Sequence, residues 1–331
     1  MLKKIQIKSP TRVDLAGGTL DLWPLYLFVD QACTVNLSIS IYTYAELEVY
    51  DEDNLEVRIC LKDLDYDETF SSYDAFSKSN HKELSLVGNI VKYFKPNFGF
   101  SLVTSSESPV GGGLGGSSSL TVSIMKAFNQ AFEISCSDND LVNIAHDIEA
   151  QVLKTPTGTQ DYYPAVNPGL GIIEYSPGHV SQSTCEFDKT YIHERMFLVD
   201  TGKSHHSGIN NWDVYKKVID GCEITLQALR EIKTIAEETK EVCLKKQWDQ
   251  LPQIFQREQT QRLKLSDSFA SAEITKLSEI TGALGAEGFK ICGAGGGGCV
   301  LVWCPKQKKQ NIIDGVELEG FKVYDVKPVT A

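Results

Sequence analysis

The sequence predicts a mixed protein of the α+β class with two domains. Strand-like alternation of apolar and polar residues opens the chain, helical segments dominate its later parts, and the two types do not follow a regular βαβ order. The chain has 331 residues, of which 42% are hydrophobic and 23% are charged. That length and composition are sufficient for two globular domains, each with its own core.

The first predicted element is a strand. Apolar and polar residues alternate over 3–16, and Gly17 and Gly18 end this pattern. Two further strand-like runs cover 34–41 and 42–50. The N-terminal part of the chain is therefore expected to form a sheet.

Two helices are predicted in the middle of the chain. The first begins at Ser117 and places apolar residues at helical spacing, namely Leu120, Ile124, Phe128 and Ala131. The second begins at Ser137 with Asp140 three residues later, which is a helix-capping pattern, and it should end before Pro156. Glu149 lies near the C-terminal end of this second helix.

The second half of the chain is predicted to be mainly helical, with a few strands. Residues 196–199 indicate a strand, and about 214–265 indicate helix. A further helix passes through Ile274, Leu277 and Ile280 and ends near Gly282. The last two strands, 289–292 and 299–304, flank a run of glycines.

Charge and cysteine content exclude several classes of function. A net charge of -12 argues against non-specific nucleic-acid binding, which needs clustered Lys and Arg. The nine cysteines are an odd number without a CxxC pair, so neither a disulfide framework nor a zinc site is indicated. The N-terminus has no apolar run of secretory length, and no segment approaches about 18 uninterrupted apolar residues. We therefore expect a soluble, cytoplasmic protein without membrane or nucleic-acid partners.

The segment 108–119 is the strongest local feature, because it places five glycines directly before a predicted helix. Glycines allow several backbone N–H groups to approach an anion, and a helix N-terminus adds about half a positive charge. The segment therefore has the features of a phosphate-binding loop.

Pattern matching alone does not identify the ligand of this loop. The pattern GxGxxG is matched by Gly111, Gly113 and Gly116, and again by Gly293, Gly295 and Gly298. A dinucleotide-binding fold would place an acidic residue about 20 positions later at a strand end, but Glu133 falls at the end of a predicted helix. The GxxxxGK[ST] pattern is absent as well, so neither common fingerprint explains the loop.

Three motifs in order make a family resemblance specific. Segments 9–22, 111–119 and 291–299 resemble the three motifs of the GHMP kinases, a superfamily that includes galactokinases, homoserine kinases and mevalonate kinases. The resemblance spans positions 9 to about 304. It implies an N-terminal domain like domain 2 of ribosomal protein S5 and a ferredoxin-like C-terminal domain, with the active site between them. We expect these domains to cover 1–185 and 186–331.

The same resemblance implies ATP and Mg²⁺ as cofactors. The residues expected to hold the ATP phosphates are Gly111, Gly112, Gly113, Leu114, Gly115, Gly116, Ser117, Ser118 and Ser119. Ser117 and Glu149 match the magnesium ligands of the family, and hydroxyl and carboxylate oxygens suit that metal.

Two residues match the catalytic positions of the family. Asp161 corresponds to the aspartate near the acceptor hydroxyl, which it could deprotonate as the phosphoryl group arrives. Arg12 corresponds to the basic residue of the first motif, which could hold Asp161 ionised or steady the developing charge.

Within this superfamily, the first motif departs from the galactokinase form, which has a glutamate and a histidine at the positions of Gly18 and Thr19. The string 15–22 is similar to D-glycero-D-manno-heptose 7-phosphate kinases and to the kinase domain of L-fucokinases, which phosphorylate an anomeric hydroxyl. Expected substrate contacts are Asp14, Gly17, Gly18, Asp21, Lys203, His205, Gly295 and Gly296. Lys203 and His205 are candidates for a second phosphate on the substrate. The expected partner is a small sugar or sugar phosphate, and the expected state is a monomer or homodimer.

Three alternatives remain open at this point. One is a mevalonate- or homoserine-type kinase of the same superfamily, and another is a nucleotide-binding regulator without kinase activity. The third is an NAD-dependent oxidoreductase that uses the GxGxxG pattern. The combination of Arg12, Ser117, Glu149 and Asp161 favours a kinase, since a binding protein needs no base.

Overall fold

The computed structural model describes residues 3–203, 207–266, 269–293 and 295–331, without the side chains of 207–210. The predicted α+β fold is confirmed: the described strands form two sheets, and helices cover them. The strands are β1 (Lys3–Ala16), β2 (Ala32–Val49), β3 (Val57–Leu61), β4 (Tyr66–Phe70), β5 (Phe100–Ser106), β6 (Leu170–Ser176), β7 (His179–Cys185), β8 (Met196–Asp200), β9 (Gly288–Ile291), β10 (Cys299–Trp303) and β11 (Lys322–Tyr324).

The helices lie between and after these strands. They are α1 (Tyr73–Ser77), α2 (Ser85–Phe94), α3 (Gly116–Phe132), α4 (Asp138–Leu153), α5 (Tyr163–Val166), α6 (Lys189–His193), α7 (Ser207–Ile219), α8 (Glu223–Leu244), α9 (Leu251–Leu265), α10 (Ala272–Leu284) and α11 (Lys309–Leu318). In the described part of the chain, no helix is both long and apolar enough to cross a bilayer. All nine cysteines are free.

The first sheet contains β1 to β7 in the order β4-β3-β5-β2-β6-β7, and β1 pairs with β2. Among its described strand pairs, β3 and β5 are parallel and the others are antiparallel. Two strands were predicted over 34–50, but β2 is one continuous strand of 18 residues. Its pairing with β1 shifts register between Pro10 and Thr11, opposite Tyr42 and Ile39. A β-bulge therefore breaks the alternation without ending the strand.

The second sheet contains β8 to β11 in the order β11-β8-β10-β9, and all its strand pairs are antiparallel. One face packs on α10 and α11 through a core that includes Val199, Ile274 and Ile312. Its other face shares a core with the first sheet and with α9, in which Val35, Leu198 and Ile254 meet. This core includes residues from both sides of the predicted domain boundary at residue 185. The boundary itself stays a prediction.

The two glycine-rich segments meet between the sheets. The first joins β5 to α3, and the second joins β9 to β10. The Cys299 N–H donates to the Gly112 carbonyl at 2.8 Å, and the Arg12 N–H donates to the Leu114 carbonyl at 3.1 Å. These backbone hydrogen bonds tie the first segment to both sheets, and they position the cavity described next.

Candidate active site

A cavity of about 380 Å³ opens beside the first glycine-rich segment. The loop after β1, the C-terminal end of α4, the segment 157–161 and one residue of α9 also contribute to its walls. The charged side chains that line it, among the residues described, are Arg12, Asp21, Asp63, Glu149, Asp161 and Arg262. The predicted loop residues that line it are Gly111, Gly112, Gly113, Leu114, Gly115, Gly116, Ser117 and Ser118. The structure thus brings together the main predicted nucleotide and catalytic residues.

The first glycine-rich segment leads directly into α3. Gly115 precedes this helix with a φ of 70°, in the left-handed region that favours glycine. An alanine at Gly115 would place its Cβ 3.1 Å from the Asp161 Cβ. The first backbone N–H groups of α3 have no acceptors within the helix. They form the positive end of the helix dipole, which favours anions. The absence of a side chain at Gly115 therefore lets Asp161 lie against an anion-binding helix terminus.

Arg12 and Asp161 form an ion pair in the cavity wall. Arg12 Nε donates to Asp161 Oδ1 at 2.9 Å, and Arg12 Nη2 donates to the same oxygen. Arg12 Nη1 donates to the Gly113 carbonyl at 2.6 Å. Burial alone would lower the pKa of Arg12, but the Asp161 carboxylate raises it above its ordinary value. Asp161 keeps 26% of its side chain exposed, so this carboxylate is accessible from the cavity.

Glu149 lies on the buried face of α4 and accepts hydrogen bonds from two hydroxyls. Ser118 Oγ donates to Glu149 Oε2 at 2.9 Å, and the Tyr162 hydroxyl donates to the same oxygen. Burial and the Glu149 charge raise the pKa of Tyr162 well above its usual value, so Tyr162 remains a donor. Ser117 lines the cavity nearby, whereas Ser118 makes the recorded contact with the carboxylate.

Asp21 lies on the loop after β1 and is buried, with 5% of its surface exposed. Its Oδ2 accepts from the Gln160 N–H at 3.2 Å. Burial and the nearby Asp161 charge raise the pKa of Asp21 to about 6. An alanine at Gly158 would place its Cβ 1.7 Å from Asp21 Oδ2, so this glycine admits the carboxylate. Asp21 and Asp161 therefore approach the same end of the cavity.

A buried cluster of four charged side chains lies behind this end of the cavity. Lys290 Nζ is 3.3 Å from Asp14 Oδ2 and 2.6 Å from Glu258 Oε2. Arg262 lies 3.7 Å from each of the same carboxylates. Burial would raise the pKa of Asp14, but Lys290 and Arg262 hold it below its ordinary range. Asp14 is fully buried within this cluster and does not itself line the cavity.

Sequence reasoning did not identify Glu258, Arg262 or Lys290. Glu258 and Arg262 are four residues apart on α9 and share its buried face with Ile254 and Phe255. Charged residues at the apolar positions of a helix are rare unless they are paired. That pattern was a signal that could have found Glu258 and Arg262.

The second glycine-rich segment packs backbone against the first. An alanine Cβ at Gly293 would lie 2.7 Å from the Gly113 Cα, and one at Gly298 would lie 2.8 Å from the Gly111 carbonyl oxygen. The two glycine-rich segments are therefore in direct backbone contact. Gly293 is the member of the described segment that lines the cavity.

Comparison with known proteins decides the family. The model of the GHMP kinases N terminal domain matches residues 85–169, and the GHMP kinases C terminal model matches residues 239–322. Together the two matches span just over half of the chain. The chain belongs to the GHMP kinases. As a member of this family it is an ATP-dependent phosphotransferase with a hydroxyl acceptor.

Several known proteins are similar to nearly the full length of the chain. A D-glycero-alpha-D-manno-heptose 7-phosphate kinase of Campylobacter jejuni is 28% identical over 342 residues, which cover 98% of this chain and 96% of that protein. The bifunctional fucokinase/GDP-fucose pyrophosphorylase of Arabidopsis thaliana is 24% identical over 98% of this chain and 32% of its own length. A solved D-glycero-D-manno-heptose 1-phosphate kinase of Bacteroides thetaiotaomicron has a TM-score of 0.78 and 21% identity, covering 100% of this chain and 97% of that one.

Several expected site residues of this GHMP kinase lie away from the cavity wall. Lys203 pairs with Glu273 at 3.3 Å and is not among the lining residues. Gly295 and Gly296 pack on Phe269, and Gly17 and Gly18 lie behind the wall. The Ser119 hydroxyl donates to the backbone of β1, so it anchors α3 to the sheet. His205 falls outside the described residues.

Proposed function

We propose that this GHMP kinase transfers the γ-phosphoryl group of ATP to a sugar or sugar phosphate, at the anomeric hydroxyl. The names of the two relatives, a heptose 7-phosphate kinase and a fucokinase, support this substrate class. The observation that carries the proposal is the Arg12–Asp161 pair beside Gly115. It places a partly exposed carboxylate next to the glycine-rich segment, where an acceptor hydroxyl and an ATP phosphate would meet.

The glycine-rich segment and the N-terminus of α3 would bind the ATP phosphates. Backbone amides and the helix dipole supply the positive partial charge that these phosphates need. Because glycines supply most of this wall, the phosphates can approach the backbone closely.

Ser117 and Glu149 fit a Mg²⁺ ion bound together with ATP. They provide a hydroxyl and a carboxylate on the same cavity wall, and Mg²⁺ usually combines one or two carboxylates with phosphate oxygens and waters. When bound, the ion would neutralise phosphate charge. The hydrogen bonds from Ser118 and Tyr162 hold the Glu149 carboxylate in a fixed orientation.

Asp161 would accept the proton of the acceptor hydroxyl. The acceptor oxygen forms a bond to the γ-phosphorus, the bond from that phosphorus to ADP breaks, and its electron pair leaves with ADP. Both hydrogen bonds from Arg12 to Asp161 go to Oδ1, which leaves Oδ2 for the proton. Arg12 thus holds the base in place, and Asp21 is positioned to accept hydrogen bonds from sugar hydroxyls.

The proposal extends to the location, the assembly and the nucleotide of the enzyme. We infer a cytoplasmic enzyme that acts as a monomer or homodimer, with domains over 1–185 and 186–331. Binding of ATP rather than NADH would separate it from a dinucleotide-dependent enzyme, and fluorescence of bound NADH is a direct test.

The deciding experiment compares the wild-type chain with Asp161→Asn. Magnesium-dependent ADP release is measured with a panel of aldoses, heptose 7-phosphate, mevalonate and homoserine. We expect release with a sugar or sugar phosphate, and a loss of turnover of about 10²- to 10⁴-fold in Asp161→Asn with ATP affinity retained. Asp314→Asn, which changes an exposed aspartate on α11, is the matched control.

Two outcomes would contradict the proposal. Unchanged turnover in Asp161→Asn would remove this carboxylate from the mechanism. Release stimulated only by mevalonate or homoserine would assign the chain to a different substrate class within the family.

A further inference from the structure

Arg262 is the second guanidinium of the cavity. It projects from α9, has 2% of its side chain exposed and lines the cavity wall. Of the described residues that line the cavity, Arg12 and Arg262 are the two cationic ones. Lys203, which the sequence suggested as a phosphate-binding cation, pairs with Glu273 away from this wall. Arg262 is therefore the candidate for anion recognition that sequence reasoning did not identify.

The two arginines differ in how many of their donors are used. All three nitrogens of the Arg12 guanidinium donate to oxygens of Asp161 or Gly113. Within the described part of the chain, Arg262 donates one hydrogen bond, from Nη1 to the Gly293 carbonyl at 2.8 Å. Among the described residues, its Nε has no hydrogen-bond partner. A guanidinium has five N–H donors, so most of those of Arg262 remain unused.

The carboxylates near Arg262 balance its charge without using its donors. Asp14 and Glu258 each stand 3.7 Å from it, beyond ordinary hydrogen-bond length. Lys290 lies closer to both carboxylates, at 3.3 Å and 2.6 Å. A buried donor without a partner is costly and rare. Nε is enclosed by protein beside Glu258, but Arg262 also lines the cavity, so a ligand oxygen there could accept from the remaining N–H groups of Nη1 and Nη2.

Arg262 lies where the phosphate side of the cavity meets the acceptor side. Its Nη1 bonds Gly293, whose backbone touches Gly113 of the phosphate-binding segment. Its Nη2 lies against Gly18, where an alanine Cβ would be only 2.3 Å away, on the loop that carries Asp21. In the proposed function, the phosphoryl group that passes from ATP to the acceptor would cross this junction.

We propose that Arg262 is a catalytic residue whose unused N–H groups bind the γ-phosphoryl group, both in ATP and during its transfer. This inference rests on the proposed kinase function. Negative charge spreads over the phosphoryl oxygens in the transition state, and a preorganised guanidinium stabilises it strongly in a buried site. Arg12 would then orient the base, and Arg262 would hold the group that is transferred.

The test compares binding of Mg·ADP and Mg·AMPPNP by isothermal titration calorimetry. The variants of the full chain are Arg262→Lys, which keeps the charge but loses the planar fork, and Arg262→Met. Arg257→Met is the matched control, because Arg257 lies on the same helix, is exposed and pairs with Glu238 at 2.7 Å. Thermal unfolding checks that each variant is folded. If Arg262→Met does not fold, the binding data for Arg262→Lys decide the test.

We expect Arg262→Lys to weaken Mg·AMPPNP binding by about tenfold, the effect of losing one charge-assisted hydrogen bond. Mg·ADP binding should change less than twofold, and Arg257→Met should behave as the wild-type chain. Turnover in Arg262→Lys should fall at least as far as AMPPNP affinity.

Equal weakening of both nucleotides would overturn the inference, since Arg262 would then support the phosphate-binding segment only. Unchanged binding of both, with a raised KM for the acceptor, would also overturn it and assign Arg262 to the acceptor. If the wild-type chain binds neither nucleotide, the proposed kinase function itself is wrong.

Discussion

The two glycine-rich segments look alike in sequence and serve different purposes in the structure. Both match GxGxxG, but 111–116 leads into α3 whereas 293–298 joins two antiparallel strands. Every residue of the first segment lines the cavity, and Gly293 is the described residue of the second segment that does so. A GxGxxG pattern therefore indicates that another group lies close to the glycine backbone. The element that follows the glycines indicates whether that group is a ligand or the backbone of another segment.

The second segment supports the first instead of duplicating it. Its backbone touches Gly111 and Gly113, and the Cys299 N–H donates to Gly112. The first segment in turn contacts Asp161 through Gly115. Substitutions in the second segment should therefore reduce the stability of the fold more than catalysis. Substitutions in the first segment should reduce catalysis more than stability.

The largest effect on stability is expected for Gly293→Ala. Gly293 has a φ of 66°, and the added Cβ would lie 2.7 Å from the Gly113 Cα. Left-handed strain costs about 1–2 kcal/mol and overpacking about 1–3 kcal/mol, so the free energy of unfolding should fall by about 2–5 kcal/mol. Urea denaturation measures this change.

Gly178→Ala is the matched control for Gly293→Ala. Gly178 has a φ of 70° in the turn between β6 and β7, and nothing lies within 4 Å of its added Cβ. It should show only the strain term of about 1–2 kcal/mol. Equal losses in the two variants would mean that contact between the segments contributes nothing to stability.

The pH dependence of the stability of Asp21→Asn tests the environment of the buried Asp21 carboxyl, which lies in the cavity wall with the first segment. The pKa of Asp21 is raised to about 6 by burial and by Asp161. A raised carboxyl pKa stabilises the fold below the unfolded value of about 4, and this contribution is lost as pH rises through 6. The stability advantage of wild type over Asp21→Asn should therefore fall by about 2 kcal/mol between about pH 4.5 and 7.5.

Urea denaturation at both pH values provides the measurement for Asp21. Asp314→Asn removes an exposed carboxyl on α11 and should show no comparable pH dependence. A stability difference that does not change across this range would show that Asp21 titrates at its ordinary pKa in the folded protein.

The smallest effect on stability is expected for Gly115→Ala, which should instead reduce catalysis. Its φ of 70° predicts a cost of about 1–2 kcal/mol, as for Gly178→Ala. The added Cβ, 3.1 Å from the Asp161 Cβ, must displace that side chain by a few tenths of an ångström. Such misplacement should lower kcat by about tenfold or more in steady-state assays, whereas Gly178→Ala should retain full turnover. Full turnover in Gly115→Ala would contradict the proposed position of the base.

The local elements of the fold were largely predictable from sequence. The helix predicted from Ser117 is α3, and the capping pattern at Ser137 is confirmed by its hydrogen bond from the Asp140 N–H at 3.1 Å. The predicted strands 196–199, 289–292 and 299–304 correspond to β8, β9 and β10. These elements depend on contacts within a few residues, which periodicity and capping patterns report.

Long-range features were not predictable in the same way. Residues 51–107 yielded no predicted element, although they form β3, β4, β5, α1 and α2. Their short strands depend on pairing with distant segments, as in the parallel pairing of β3 with β5. The alternation of β3 covers only five residues, which is too short a run to identify a strand by itself.

The candidate site was predictable as far as family motifs reach. Arg12 and Asp161 are 149 positions apart, and only the resemblance placed them together before the structure showed their ion pair. Arg262 lies outside those motifs. Its position on the apolar face of α9 was a sequence signal of burial, but its unused donors become visible only when the packing of this helix is known.

The contact between the two glycine-rich segments also has a consequence for mutational tolerance. At Gly293 and Gly298 the contact is made by backbone atoms of the first segment. A second substitution that shortens a neighbouring side chain could therefore not make room for a larger residue there. A single added methyl group is the smallest possible change at Gly293, and it already exceeds the available space. We therefore expect a deep mutational scan to find glycine alone accepted at this position, while the exposed acidic surface accepts most residues.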